Sequence, residues 1–246
     1  MTKTLIIIPS RIAATRLPGK PLLKINNLSI VSHVFKRAEE AEIGEVVVAT
    51  DDQEILKDVI ENGGNAILTN KNHKTGTDRI FEAYKKLNIK NIDYILNLQG
   101  DEPNIDKDDI IKLNNFMINN DADIGTLAAT IKNSKTLINK NVVKVATENK
   151  LEKNNFPLAL NFTRDDLSKE SKNIYHHIGV YSYKVKILEN FVILKQTNSE
   201  IKNKLEQLRA LDNKLKINVA LAKSSPIGVD TKEDYLAIKK IMEYKS

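Results

Sequence analysis

Three cations, Arg11, Arg16 and Lys20, stand close together in the stretch "IIIPSRIAATRLPGKPL", directly after an apolar run that stops at Pro9. A buried strand feeding an exposed, cationic loop is an anion site in outline, because the strand is rigid and loop amides add to the side-chain charge. Nucleotide phosphates are the obvious guest. Neither G-x-x-x-x-G-K-[ST] nor G-x-G-x-x-G follows the strand, which disfavours a P-loop NTPase and a dinucleotide-dependent dehydrogenase. On the loop alone, scattered surface charge is an equal alternative.

Acids recur at two further places. "LNLQGDEP" sets Gln99, Gly100, Asp101 and Glu102 where another apolar run ends, the edge at which α/β sheets present their chemistry. Asp101 suits magnesium, which takes one or two carboxylates besides substrate oxygens, although a turn or helix cap uses the same letters. In "IGVDTKEDY", Thr231 and Asp234 read as a capping box at the start of the last helix, and that leaves Asp230 unexplained. In "NHKTGTDR", Gly76 lies in a polar loop running into a helix, where exposed amides can hydrogen-bond the edge of a base. A cap built from Thr75 to Asp78 accounts for the same residues, and both readings can hold together.

The elements that must carry these residues follow from periodicity. "TLIIIP", "EVVVAT", "NAILT" and "DYILNLQ" read as strands, alternating with helices over 29–41, 52–62, 77–87 and 107–119. This order predicts an α/β fold with a mostly parallel sheet and helices on both faces. From about residue 123, "DIGTLAATI", "VVKVAT", "PLALNFT" and "HHIGVYSY" predict a smaller mixed sheet. A helix over 203–213, the strand "KINVALA" and a helix from about Thr231 complete the chain. No internal repeat or clean linker appears, so one domain is expected, softly divided near residue 130.

Composition narrows the function. The 246 residues carry a net charge of +6, but lysines are interleaved with acids and aromatics make up only 5%. Solvated helix faces explain that pattern better than nucleic-acid binding does, and stacking platforms for bases are scarce. Cysteine is absent, which removes disulfide and thiolate chemistry and suits a reducing compartment. No apolar run approaches the roughly 18 to 20 residues that cross a bilayer, and Met1 to Thr4 lead straight into a strand. A cytoplasmic protein with no membrane or nucleic-acid partner is expected.

"PSRIAATRLPGKPL" resembles the opening signature of sugar-activating nucleotidyltransferases, and in particular of the 3-deoxy-manno-octulosonate (Kdo) cytidylyltransferases. "VVVATDD", "HKTGTDR", "LNLQGDEP", "HHIGVYSY", "LEQLRAL" and "GVDTKEDY" follow in that family's order. The resemblance implies a Rossmann-like nucleotidyltransferase sheet, with residues 1–130 serving the nucleotide and 131–246 the sugar and dimerisation. It implies that CTP and Kdo are joined to CMP-Kdo and pyrophosphate for lipopolysaccharide synthesis in a Gram-negative bacterium, by a homodimer using Mg2+. Asp101 and Asp230 would bind the metal and, with Lys20, be catalytic. Arg11, Arg16 and Lys20 would hold the triphosphate, and Thr75 and Gly76 the cytosine, with Arg79 supporting that loop. Gln99, Arg164, His177, Tyr181, Glu206 and Gln207 would face the sugar acid, the last two near the start of their helix. Two departures stand out: Asn161-Phe162-Thr163-Arg164 replaces a Tyr-Phe-Ser-Arg string, and His176 stands where the family has Arg. The rival readings are a cytidylyltransferase for sialic acid or amino-substituted Kdo, a non-catalytic nucleotide-binding protein, and a nucleic-acid-binding protein.

Overall fold

Leu5, Ile6, Ile7 and Ile8 have no exposed surface, and they form the centre of β1 (Thr4–Ser10). A run that is apolar without alternation belongs in a parallel strand covered on both faces. In the computed structural model, which describes residues 2–13, 16–167, 173–223 and 225–244, that is its place. After β1 come a single 3-10 turn at Lys20–Leu22 and a hairpin, β2 (Lys24–Ile25) and β3 (Leu28–Ser29). Then follow α1 (Ile30–Glu39), β4 (Gly44–Thr50), α2 (Gln53–Glu61), β5 (Ala66–Leu68), α3 (Gly76–Leu87) and β6 (Tyr94–Asn97). The strands lie in the order β6-β1-β4-β5, every neighbouring pair parallel.

The helices begin where capping chemistry places them. Ser29 accepts from the Ser32 amide, Asp52 from those of Glu54 and Ile55, and Thr75 from that of Asp78. Each cap satisfies donors that the first helical turn leaves open. One face of α1, with Val31, Val34, Phe35 and Ala38, is buried.

Next, α4 (Lys107–Asn120) leads to β7 (Ile124–Thr130), α5 (Ser134–Ile138), β8 (Lys144–Thr147), β9 (Ala159–Thr163) and β10 (Ile174–Lys184). They are followed by α6 (Val185–Ile193), α7 (Asn198–Asn203), α8 (Gln207–Asp212) and β11 (Ile217–Leu221). Here the sheet is mixed: β11 runs parallel to β7, whereas the β7-β10, β10-β8 and β8-β9 pairs are antiparallel. Finally α9 (Lys232–Glu243) starts at a complete Thr231–Asp234 capping box.

The chain separates into two compact units, residues 1–111 with 226–246, and residues 112–225. The first division falls within α4, and the last segment returns to the first unit because Val229 and Ile238 pack with Ile25 and Ile30 in one apolar cluster. The helix expected over 203–213 is shorter, starting at Gln207. Lys204 sits in the left-handed region (φ 53°) and closes α7 ahead of it. The periodicity reading contains no counterpart to α5, α6 or α7.

Candidate active site

Three loops of the first unit meet at the carboxyl ends of β1 and β6. Gly100 makes the approach possible, since a Cβ there would lie 2.9 Å from the Pro9 carbonyl oxygen. Gly19, at φ 68°, turns the chain into the 3-10 helix that begins with Lys20, a backbone region that glycine enters without steric cost. The third loop is fixed by the Val229 amide, which donates to the Asp101 carbonyl at 2.9 Å, and by the Ile227 amide, which donates to Asn104 Oδ1 at 3.0 Å. These two bonds bring Asp101 and Asp230 together across most of the sequence.

Lys20 joins them. Its Nζ lies 2.6 Å from Asp101 Oδ2 and 3.3 Å from Asp230 Oδ1, and Arg16 adds a contact at 2.9 Å to Asp230 Oδ2. The Lys20 side chain is 13% exposed, against 51% for Asp230, so the ammonium is enclosed while its partner faces solvent. Beside the cluster, burial and the Asp101 charge push the Glu102 carboxyl up to about 8. At neutral pH burial therefore favours the neutral form of the Glu102 carboxyl.

A cavity of about 470 Å³ opens over these groups. Arg11, Arg16, Lys20, Asp101 and Asp230 line it, and so do Thr75, Gly76 and Arg79 from the start of α3. Gln99, expected on the sugar side, lines the same cavity. Arg79 is only 4% exposed; it donates to Thr69 Oγ1 at 2.5 Å and faces Asp51 Oδ2 at 3.3 Å. It thereby ties the ends of β4 and β5 to α3. His73 and Lys74 also line the cavity, although the sequence reading assigns them nothing. Their signal was their place at the front of "HKTGTDR", a string whose periodicity says nothing about side-chain direction.

The remaining expected residues belong to the second unit. Glu206 occupies the N-cap position of α8 and Gln207 is its first residue. His177 and Tyr181 come from β10, whose pairing with β7 shifts register between Ile178 and Tyr181. Bulges of this kind re-aim side chains. Thr126 stabilises the shift, its hydroxyl donating to the Val180 carbonyl at 2.7 Å and standing 3.0 Å from His177 Nε2. The two rings are 5.4 Å apart and belong to a ladder that runs from Phe162 through His177, Tyr181 and Tyr183 to Phe191, with Arg209 capping the last ring at 4.8 Å. Burial, with His176 and Arg164 adding positive charge, holds His177 down at about 3. Burial, Tyr183 and Glu206 together push the Tyr181 hydroxyl well above its ordinary range. Arg164 donates to the Asn141 carbonyl at 2.9 Å. Of the two departures, Asn161 accepts from the Phe162 amide through Oδ1 and His176 Nδ1 lies 2.9 Å from Ser225 Oγ.

Among the described residues no helix is long and apolar enough to cross a membrane, and no group of three or more His, Cys, Asp or Glu is placed to hold a metal ion.

Comparison with known proteins bears on this geometry. The family described as Cytidylyltransferase matches residues 5–217. A 3-deoxy-manno-octulosonate cytidylyltransferase of Thermodesulfovibrio yellowstonii is 43% identical, covering 97% of this chain and 98% of its own. One from Rhodopseudomonas palustris (strain BisB18) is 42% identical, covering 99% of each. A solved structure of CMP:2-keto-3-deoxy-manno-octonic acid synthetase complexed with CTP aligns over 100% of both chains with a TM-score of 0.90 and 32% identity.

Proposed function

Because the chain belongs to the 3-deoxy-manno-octulosonate cytidylyltransferase family, we propose that it joins CTP and Kdo to give CMP-Kdo and pyrophosphate. The observation that carries the reading is the convergence of Asp101 and Asp230 on Lys20 Nζ in a cavity lined by Arg11 and Arg16. A cationic loop facing two carboxylates suits a triphosphate and its counter-ion, and suits few other guests.

In the reaction the anomeric hydroxyl of Kdo bonds to the α-phosphorus of CTP while the bond to the departing pyrophosphate breaks. Arg11, Arg16 and Lys20 hold the phosphates and offset charge that builds up on them, the preorganised electrostatic work on which phosphoryl transfer depends. Lys20 must then exchange carboxylate contacts for phosphate ones. Thr75 and Gly76 offer the N-terminal amides of α3 to the cytosine, with Arg79 bracing the loop. For the sugar acid the reading relies on Gln99, Arg164, His177, Tyr181, Glu206 and Gln207.

The donor set fits Mg2+: two carboxylates already converge on one cationic atom, and magnesium needs no more than that besides water and substrate oxygens. Asp101 and Asp230 would hold it. Bound there, the ion would neutralise phosphate charge and lower the pKa of the attacking hydroxyl. The same reading carries a homodimer in the cytoplasm, the first part of which sedimentation tests directly.

The decisive experiment incubates the protein with CTP, Mg2+ and a panel of ulosonic acids, following pyrophosphate release and product mass. Kdo should turn over fastest. Release with an amino-substituted acid or a sialic acid but not with Kdo would overturn the substrate assignment and give weight to Asn161 and His176.

A further inference from the structure

We infer that Glu82 is a positioning residue of the nucleotide cavity, holding His73 in the cavity wall so that its imidazole contacts the bound nucleotide. The inference rests on the nucleotide reading above and adds to it a contact residue and the group that aims it.

One carboxylate, Glu82, takes three donors. Glu82 Oε2 accepts from the Asn70 amide at 2.9 Å and meets His73 Nε2, while Oε1 lies 2.6 Å from Lys86 Nζ. Lys86 also donates to the Leu68 carbonyl, at 3.0 Å, where β5 ends. Arg79, Glu82 and Lys86 are spaced i, i+3 and i+7, so they share one face of α3. That face grips the segment between β5 and α3 at Leu68, Thr69, Asn70 and His73. The same segment ends in Thr75 and Gly76, which line the cavity.

A plain surface ion pair would need only Lys86. An acid that also takes a backbone amide and an imidazole fixes a loop and a ring orientation together. With Nε2 turned to a carboxylate, the ring carries its proton there and has Nδ1 left for a ligand. Burial favours the protonated acid, but Lys86, the Asn70 amide and His73 outweigh it and hold Glu82 down at about 2. The brace is therefore charged wherever the enzyme would work.

The test compares the parent with Glu82→Gln, His73→Ala and the double variant, by calorimetric CTP titration and steady-state kinetics. Each single change should weaken CTP about tenfold, with a much smaller effect on kcat and on the KM for Kdo. The double variant should bind CTP no more weakly than His73→Ala alone, because glutamine keeps an acceptor for the Asn70 amide and what the change removes acts through His73. Additive losses, or a Glu82→Gln variant that binds CTP like the parent, would overturn the inference. So would a loss confined to Glu82→Gln with His73→Ala unaffected, since Glu82 would then support the loop without acting through the ring. A parent that binds no CTP overturns the functional reading and this inference together, whereas a parent that binds CTP with unaffected variants overturns this inference alone.

Discussion

In the first unit the charged groups of the cavity hold one another: Lys20 sits between Asp101 and Asp230, Arg16 reaches Asp230, and three of the four side chains are at least 30% exposed. In the second unit the polar groups are built into packing. His177 is 8% exposed within a ladder of rings, and Arg209 and Glu200, each 4% exposed, form a bidentate pair at 2.8 and 2.6 Å. The contrast has a physical consequence. Ion pairs open to water can be traded for ligand contacts at little cost to the fold, whereas a buried polar group cannot lose its partner without a large penalty. Substitutions in the first unit should therefore remove function and spare stability, and those in the second should remove stability first.

Asp101→Asn and Asp230→Asn give the largest expected effect. Each should lower turnover on the order of a thousandfold, because charge stabilisation at the reacting phosphorus is worth several kcal/mol. Thermal melts should move little. A melt that falls as steeply as turnover would mean that these carboxylates are structural, and the contrast would fail at its strongest point.

Arg209→Met tests the other side. Leaving Glu200 buried and unpaired should cost about 3–5 kcal/mol in urea unfolding, with CTP affinity close to that of the parent. Adding Glu200→Gln should recover much of the loss, since the stranded charge is then gone. A fully stable Arg209→Met protein would show that the second unit tolerates polar loss as the first does.

A buried imidazole in the second unit should also make stability depend on pH. His177 is held at about 3 in the fold against an ordinary 6.5, so the unfolded chain binds the extra proton first. Its contribution to stability is present above pH 6.5 and is lost as pH falls toward 3. Unfolding measured across that window should show stability declining with acidity, and His177→Gln should flatten the slope. An unchanged slope would remove His177 from the buried, neutral group.

Thr231→Ala is the smallest effect. It removes the side-chain half of the α9 capping box and should cost about 1 kcal/mol, with turnover falling only modestly because Asp230 is also anchored through the neighbouring Val229 amide. A collapse of turnover would show that the cap, more than the Val229 bond, places the carboxylate.

Much of the fold was legible in the sequence because its signals are local. The unbroken apolar run of β1, the 3.6-residue stripe of α1 and the caps at Thr75 and Thr231 each depend on neighbours within a few positions, and each forms where the letters put it. The α8 region was less legible, because a single left-handed residue, Lys204, splits what periodicity joins. The last segment's return to the first unit had no local signal, and only the family resemblance, which set Asp230 beside Asp101, implied it. It depends on Val229 and Ile238 finding Ile25 and Ile30, and no local pattern carries that choice.

Which residue types stand at strand ends can be read from single segments: cations after β1, acids after β6 and before α9, and Gly100 where the backbone must come close. Strand ends are set by apolar periodicity, so a reading of one segment at a time suffices to find them. That Asp101 and Asp230 share Lys20, that Glu82 faces His73 and that His177 packs among rings is visible only once the chain is folded. Those facts depend on which strand lies beside which, and on single backbone bonds such as that from Val229 to Asp101. Such pairings are selected by the burial of the whole core, to which every segment contributes at once.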